Sequence, residues 1–185
     1  MRGMVDFAEG LWREDTCDEF VEAALKLPAE KGTIADNLVS DTRRCTVRWL
    51  HPSPQWRALF DEVTLLFQQT NQNNFGLDIS FVPEIQFTEY DESNNGKFDW
   101  HEDINWLDPR PTHRKLSMSV QLSSGDEYEG GDLTFREDIQ TPPADTMRSK
   151  GSVIVFPSFV GHCVTPVTKG KRYSLVAWME GPQFR

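Results

Sequence analysis

The stretch Phe98-Asp99-Trp100-His101-Glu102-Asp103 decides how the rest of the chain is read. His101 and Asp103 stand two positions apart, and on a β-strand residues i and i+2 point to the same face. A strand here would turn an imidazole and a carboxylate toward one point, which is half of a metal site with positions left open. A third ligand is then expected from the remaining histidines, His51, His113 or His162. His162 has the best surroundings, because it follows F-P-S-F-V-G (156–161) and opens the strand-like run C-V-T-P-V (163–167).

Working outward, the six strand-like runs are Ile79–Tyr90, Leu116–Leu122, Asp132–Phe135, Ser152–Phe156, Cys163–Val167 and Arg172–Met179. Turn-forming clusters separate them at 92–96 (E-S-N-N-G), 123–127 (S-S-G-D-E) and 168–171 (T-K-G-K). Short strands punctuated in this way predict an antiparallel barrel or sandwich. The N-terminal part reads differently. Asp15–Leu27 is expected to be a helix, with Thr16 and Glu19 as a capping box and Pro28 as its stop. Arg44–Leu50 alternates as a strand, and Ser53-Pro54 announces a second helix. In that helix Trp56, Leu59, Phe60, Val63 and Phe67 recur at helical spacing and are expected to pack on a sheet. The expectation is a mainly β protein: one domain over 1–185, with helical support in 1–78 and a β core in 79–185. Loops Asp103–Lys115 and Asp138–Lys150 are candidates to flank a pocket mouth.

Composition limits the function classes. The 185 residues carry a formal net charge of −10, which argues against a nucleic-acid binder with a basic footprint. Six Trp and twelve Phe suit a β-rich core or an aromatic-lined pocket. Three widely spaced cysteines, Cys17, Cys45 and Cys163, form neither a disulfide framework nor a zinc ribbon and fit a reducing compartment. The first residues lack the apolar core of a signal peptide, and no apolar run approaches a membrane span. A cytoplasmic protein without membrane or nucleic-acid partners is expected.

Two His and one carboxylate with open positions suit non-haem Fe(II) oxygenases. Zn²⁺ is the alternative, since it accepts the same donors. Arg172 favours iron. On the strand Arg172–Trp178, residues Arg172, Ser174, Val176 and Trp178 share a face. An inward guanidinium is costly unless an anion neutralises it, and a carboxylate held in bidentate fashion would do so. Tyr90 could donate a phenolic hydrogen bond to the same acid.

At this point the chain resembles the Fe(II)/2-oxoglutarate-dependent oxygenases of the prolyl 4-hydroxylase type. The resemblance rests on H-E-D (101–103), on F-P-S-F-V-G-H-C-V-T-P-V-T-K-G-K-R-Y-S (156–174), and on Tyr90 ahead of G-K-F-D-W-H. Y-E-G-G-D-L (128–133) is similar to the family's E-G-G-x-L turn, and T-C-D-E-F-V (16–21) to a helix start common there. It implies a double-stranded β-helix, or jelly roll, braced by two or more N-terminal helices. It also implies Fe(II) on His101, Asp103 and His162, 2-oxoglutarate on Arg172 and Tyr90, O2 as oxidant and ascorbate as reductant. The implied reaction hydroxylates a C–H bond with succinate and CO2 as co-products, the expected substrate being a prolyl residue in a protein or peptide. A carboxylate at 103, where related halogenases carry a small residue, implies hydroxylation. Arg172 departs from the Lys of many animal members. Trp100, Trp106 and Trp178 are candidate substrate-pocket residues. A free amino acid or other small molecule is the alternative substrate, and a catalytically silent jelly-roll binding protein the alternative function.

Overall fold

The structure is a computed structural model that describes residues 3–33, 40–136 and 139–184. The first half contains β1 (Asp6–Ala8), α1 (Glu14–Ala24), β2 (Glu30–Lys31), β3 (Arg43–Arg44), β4 (Thr46–Leu50) and α2 (Arg57–Thr70). Then come β5 (Ile85–Asp91), β6 (Lys97–His101), β7 (Thr112–Gln121), β8 (Tyr128–Gly130), β9 (Leu133–Phe135) and α3 (Ala144–Arg148). The chain closes with β10 (Val153–Pro157), β11 (His162–Val164) and β12 (Val167–Pro182). One antiparallel sheet runs β1-β10-β7-β12-β5-β4-β2, with β8 attached to β12, and the other runs β3-β6-β11-β9. The expected jelly roll is therefore present, and a cavity is lined from both sheets, by Tyr90, Arg172 and Ser174 on one side and His101, His162 and Val164 on the other.

The alternation of β12 organises both faces of the larger sheet. Leu175, Ala177 and Met179 point away from the cavity into a core shared with Ile85, Phe87, Leu116 and Val120. Helix α1 adds Phe20, and α2 adds Phe60, Val63 and Phe67, to the same core. This is the helical brace that the spacing of α2 predicts. Phe67 is fully buried, so Phe67→Ala should cost about 3–5 kcal/mol of unfolding free energy, as aromatic truncations in packed cores do. Denaturant unfolding measures this, and a loss below about 1 kcal/mol would contradict the packing role.

The opposite face of the same strands is polar and still buried. Gln86, Thr88, Ser117, Ser119, Gln121, Arg172 and Ser174 are each at least nine-tenths covered. Buried polar groups are costly unless satisfied, so their concentration on one sheet face marks the interior that carries chemistry.

Several boundaries differ from the sequence reading. Helix α1 starts at Glu14 behind Arg13, with no side-chain cap. Thr16 lies inside its first turn, and there the Asp15 carboxylate accepts from the Thr16 backbone N–H at 2.8 Å. Helix α2 starts at Arg57 rather than after Ser53, because Ser53 to Trp56 close a separate turn through a Trp56 N–H to Ser53 carbonyl bond of 3.1 Å. The run Ile79–Tyr90 becomes a strand only from Ile85: Pro83 lacks an N–H, and Phe81 makes just an isolated bridge to Glu180. Arg44–Leu50 divides at Cys45, Arg43–Arg44 joining one sheet and Thr46–Leu50 the other. The 168–171 cluster lies within β12 rather than between strands; the register against β8 shifts between Val167 and Lys169, and Gly170 adopts φ 72°. Of the expected loop Asp138–Lys150, Asp138 lies outside the described residues, and the rest contains the short helix α3.

Candidate active site

Strand pairing assembles the site. In β11, His162 sits opposite His101 of β6 and is flanked on its other side by Phe135 of β9. The imidazole centroids of His101 and His162 are 4.2 Å apart. His101 stacks on Phe98 at 3.5 Å, and Phe156 meets the His162 ring edge-on at 4.7 Å. Each ring has its Nδ1 tied to the main chain two residues upstream, His101 to the Asp99 carbonyl at 2.8 Å and His162 to the Val160 carbonyl at 2.9 Å. Carbonyls only accept, so both Nδ1 atoms carry a proton, and in the neutral ring each Nε2 then presents its lone pair.

Asp103 is not on the strand, which ends at His101. The chain bends there, and the backbone N–H groups of Asp103 and Ile104 both donate to the Ser158 carbonyl, at 2.9 and 3.1 Å. That bend, rather than strand periodicity, brings the carboxylate over the two rings. Its oxygens lie 3.6 Å from His101 Nε2 and 3.7 Å from His162 Nε2. These separations are too long for hydrogen bonds and suit atoms each about 2 Å from one cation. The three ligand atoms lie within 4.8 Å of one another. Ser117 Oγ donates to Asp103 Oδ2 at 2.6 Å and lies 2.9 Å from Ser158 Oγ. A neutral-imidazole pair and an anchored carboxylate, each oriented from behind, form a donor set that fits a divalent transition metal.

For His162, electrostatics agree with the neutral form. Burial lowers the His162 pKa and outweighs the opposing pull of Asp103, so its ring stays neutral through the physiological range. Burial works to raise the Asp103 carboxyl, but the pull of His162 and His101 in their protonated forms, together with Arg114, holds it well below the usual carboxylate range, so Asp103 is an anion whichever form the rings take. Acid must therefore go below the ordinary histidine range before His162 gains a proton. The His162 ligand is therefore expected to stay available to a metal as pH falls through neutrality and to be lost only in acid, below the ordinary histidine value of 6.5. A metal titration at each pH reads this directly, and a midpoint above pH 7 would contradict it.

Arg172 and Tyr90 are register partners across β12 and β5, with the guanidinium carbon 5.6 Å from the phenol ring centroid. Both are buried, and both line the cavity with the His/Asp cluster. Among the described residues Arg172 makes no ion pair; its Nε donates to Gln121 Oε1 at 3.1 Å. Burial pushes the Tyr90 hydroxyl well above its ordinary pKa, so it remains a hydrogen-bond donor. The cavity measures about 930 Å³, and its wall includes Ser174, Val176 and Trp178, the face expected from β12 periodicity.

The tryptophans divide. Trp178 is buried in the wall with the Arg114 guanidinium 3.8 Å over its ring, and Trp100 lines the mouth while half exposed. Trp106 is not among the lining residues; its Nε1 donates to Glu102 at 3.2 Å and its ring packs near Phe184 at 5.7 Å. The turn between Glu102 and Trp106 carries it away from the opening. His51 is exposed near Glu84, while His113 is a buried wall residue away from the metal cluster. Loop 103–111 contributes Ile104, Asn105, Asp108 and Arg110 to the cavity, whereas 139–150 contributes nothing to it. Sequence reasoning missed Ser117, Ser158, Gln121 and Arg114. The polar alternation Ser117, Ser119, Gln121 within L-S-M-S-V-Q-L was the available signal for two of them.

The family model of the 2OG-Fe(II) oxygenase superfamily matches residues 85–180, the segment from β5 to β12 that carries every residue of this cluster. The chain belongs to the 2OG-Fe(II) oxygenase superfamily. It is 38% identical over 105 residues to a PKHD-type hydroxylase of Synechococcus sp. (strain CC9605), covering 55% of this chain and 45% of the relative. The chain thus spans about half the length of that curated relative. In fold it is similar to a Pseudomonas putida prolyl-4-hydroxylase (TM-score 0.75, 19% identity, covering 96% of this chain and 92% of that one). It is similar too to a Trichoplax adhaerens prolyl hydroxylase solved with a hypoxia inducible factor oxygen degradation domain peptide fragment (TM-score 0.75, 16% identity, 96% and 83% covered). Among the described residues no helix is long and apolar enough to cross a membrane.

Proposed function

We propose that this chain is a 2-oxoglutarate-dependent dioxygenase that hydroxylates a prolyl residue in a protein or peptide. His101, Asp103 and His162 would hold Fe(II), and Arg172 with Tyr90 would hold the distal carboxylate of 2-oxoglutarate. The observation that carries the reading is the convergence of a His/Asp/His donor set and a buried guanidinium, without an ion pair among the described residues, on one cavity. Bound iron, with the 2-oxo acid and O2, supplies the oxidising power for C–H hydroxylation; ascorbate would keep it reduced. The chain's own part is to orient. The Nδ1–carbonyl bonds fix both imidazoles, and Ser117 fixes the carboxylate. Arg172 sets the direction of the cosubstrate, and the buried wall limits water at the centre.

A peptidyl substrate is supported by the half-exposed Trp100 in the cavity lining, which could stack on a peptide, and by the peptide in the Trichoplax neighbour's complex. A zinc hydrolase would have no use for an internal dicarboxylate anchor. The test is succinate formation from 2-oxoglutarate with Fe(II), ascorbate and air, with and without a library of proline-containing peptides. Succinate that rises with particular peptides, each gaining one oxygen by mass, is the expected result. Turnover that no peptide raises would move the substrate to a free small molecule. No turnover from folded, iron-loaded protein would leave a silent jelly roll.

A further inference from the structure

The E-G-G turn and α3 lie outside the His/Asp cluster, yet both reach Arg172 through a chain of buried and part-buried polar contacts. The Arg172 Nε–H donates to Gln121 Oε1 at 3.1 Å. The Gln121 amide is itself held, its Nε2 donating to the Tyr128 hydroxyl at 3.0 Å and to the Ser123 carbonyl at 2.9 Å. Gln121, Tyr128 and Arg172 are each 2–3% exposed, so water does not compete for these bonds. Tyr128 is fixed in turn. The Arg148 guanidinium of α3 lies 4.2 Å over its ring and donates to the carbonyls of Tyr128, Gly130 and Gly125 at 2.7, 2.8 and 2.9 Å. The glycines close the turn onto the arginine stem. Gly131 sits at φ 65°, and a Cβ there would lie 2.8 Å from Val167 Cγ2 and 3.3 Å from Arg172 Cδ.

An arginine held at Nε on one side offers the edge formed by its two terminal nitrogens on the other, the edge that takes a carboxylate in bidentate fashion. We propose that Gln121 and Tyr128, clamped by Arg148 and the Gly130-Gly131 turn, are positioning residues that aim Arg172 at the distal carboxylate of the cosubstrate. This inference rests on the cosubstrate reading above. The turn, α3 and Gln121 then act together. They set affinity for a 2-oxo acid with a second carboxylate, and leave metal chelation by the 2-oxo acid end alone.

The test uses the full chain loaded with Mn(II), which permits binding without turnover, and compares two ligands by calorimetry. 2-Oxoglutarate needs the anchor; oxalate chelates the metal and has no distal carboxylate. Gln121→Met is expected to weaken 2-oxoglutarate by about 10-fold or more, and Tyr128→Phe by about 3-fold, with oxalate unchanged in both. Oxalate also reports folding, and Tyr128→Phe removes a single oxygen. Unchanged 2-oxoglutarate binding in both variants overturns the inference, as does a parallel loss of both ligands, which would assign the brace to general stability. Arg172→Ala separates the two levels. If it weakens 2-oxoglutarate while the brace variants do not, only the positioning role fails. If it too has no effect, the cosubstrate reading fails with it.

Discussion

Arg172→Ala should lower affinity for 2-oxoglutarate by roughly 30- to 5,000-fold, the range for truncating one partner of a buried, hydrogen-bonded charge pair. Metal binding should be largely unchanged, because Arg172 hydrogen-bonds to Gln121 rather than to the His/Asp cluster. The size of the effect follows from burial. Arg172 is 3% exposed and is already tied at Nε, so little side-chain entropy remains to be lost when an anion binds. Arg172→Lys should recover only part of the affinity, since an ammonium cannot keep the Gln121 contact and offer a two-pronged edge at once. Calorimetry on the Mn(II)-loaded protein reads both variants. Loss of the metal in Arg172→Ala, with folding intact, would make this arginine structural instead.

The second large effect is at the proposed metal site. His162→Ala removes one of three donors and leaves a gap between Phe135 and Phe156, into which no other ligand of the described chain reaches. Affinity for Fe(II) or Mn(II) should fall by more than about 100-fold, beyond the 10- to 100-fold typical of changes to groups that orient a ligand. Ser117→Ala, which removes the 2.6 Å bond to Asp103, belongs in that milder range. Metal content after equilibrium dialysis distinguishes the two. Wild-type stoichiometry and affinity in His162→Ala would place the metal elsewhere.

Much of this was legible in the residues because alternation is a strong constraint. Once Arg172 faces inward, Ser174, Val176 and Trp178 must follow, and all four line the cavity. The helical stripe of α2 was legible for the same reason: Phe60, Val63 and Phe67 bury where a period of 3.6 puts them. Asp103 joins His101 and His162 by a different route. Its position depends on a bend stitched to the Ser158 carbonyl, and a contact across 55 positions of sequence leaves no local mark. The capping box at Thr16 and the Ser53 start failed because capping residues also stabilise turns, and the neighbouring Arg13 and Trp56 began the helices instead. Trp106 was unreadable, since the direction of a loop side chain is set by its tertiary partners, here Glu102, His113 and Phe184. The brace behind Arg172 joins β7, the E-G-G turn and α3, elements whose adjacency only the fold supplies.

The most direct measurement is a crystal structure of the protein grown with Mn(II) and 2-oxoglutarate, the metal located by its anomalous scattering. The expected result is one ion bound by His101 Nε2, His162 Nε2 and Asp103, with the distal carboxylate of 2-oxoglutarate paired to Arg172. A metal peak away from these three side chains, or a cosubstrate carboxylate that leaves Arg172 without a partner, would contradict it.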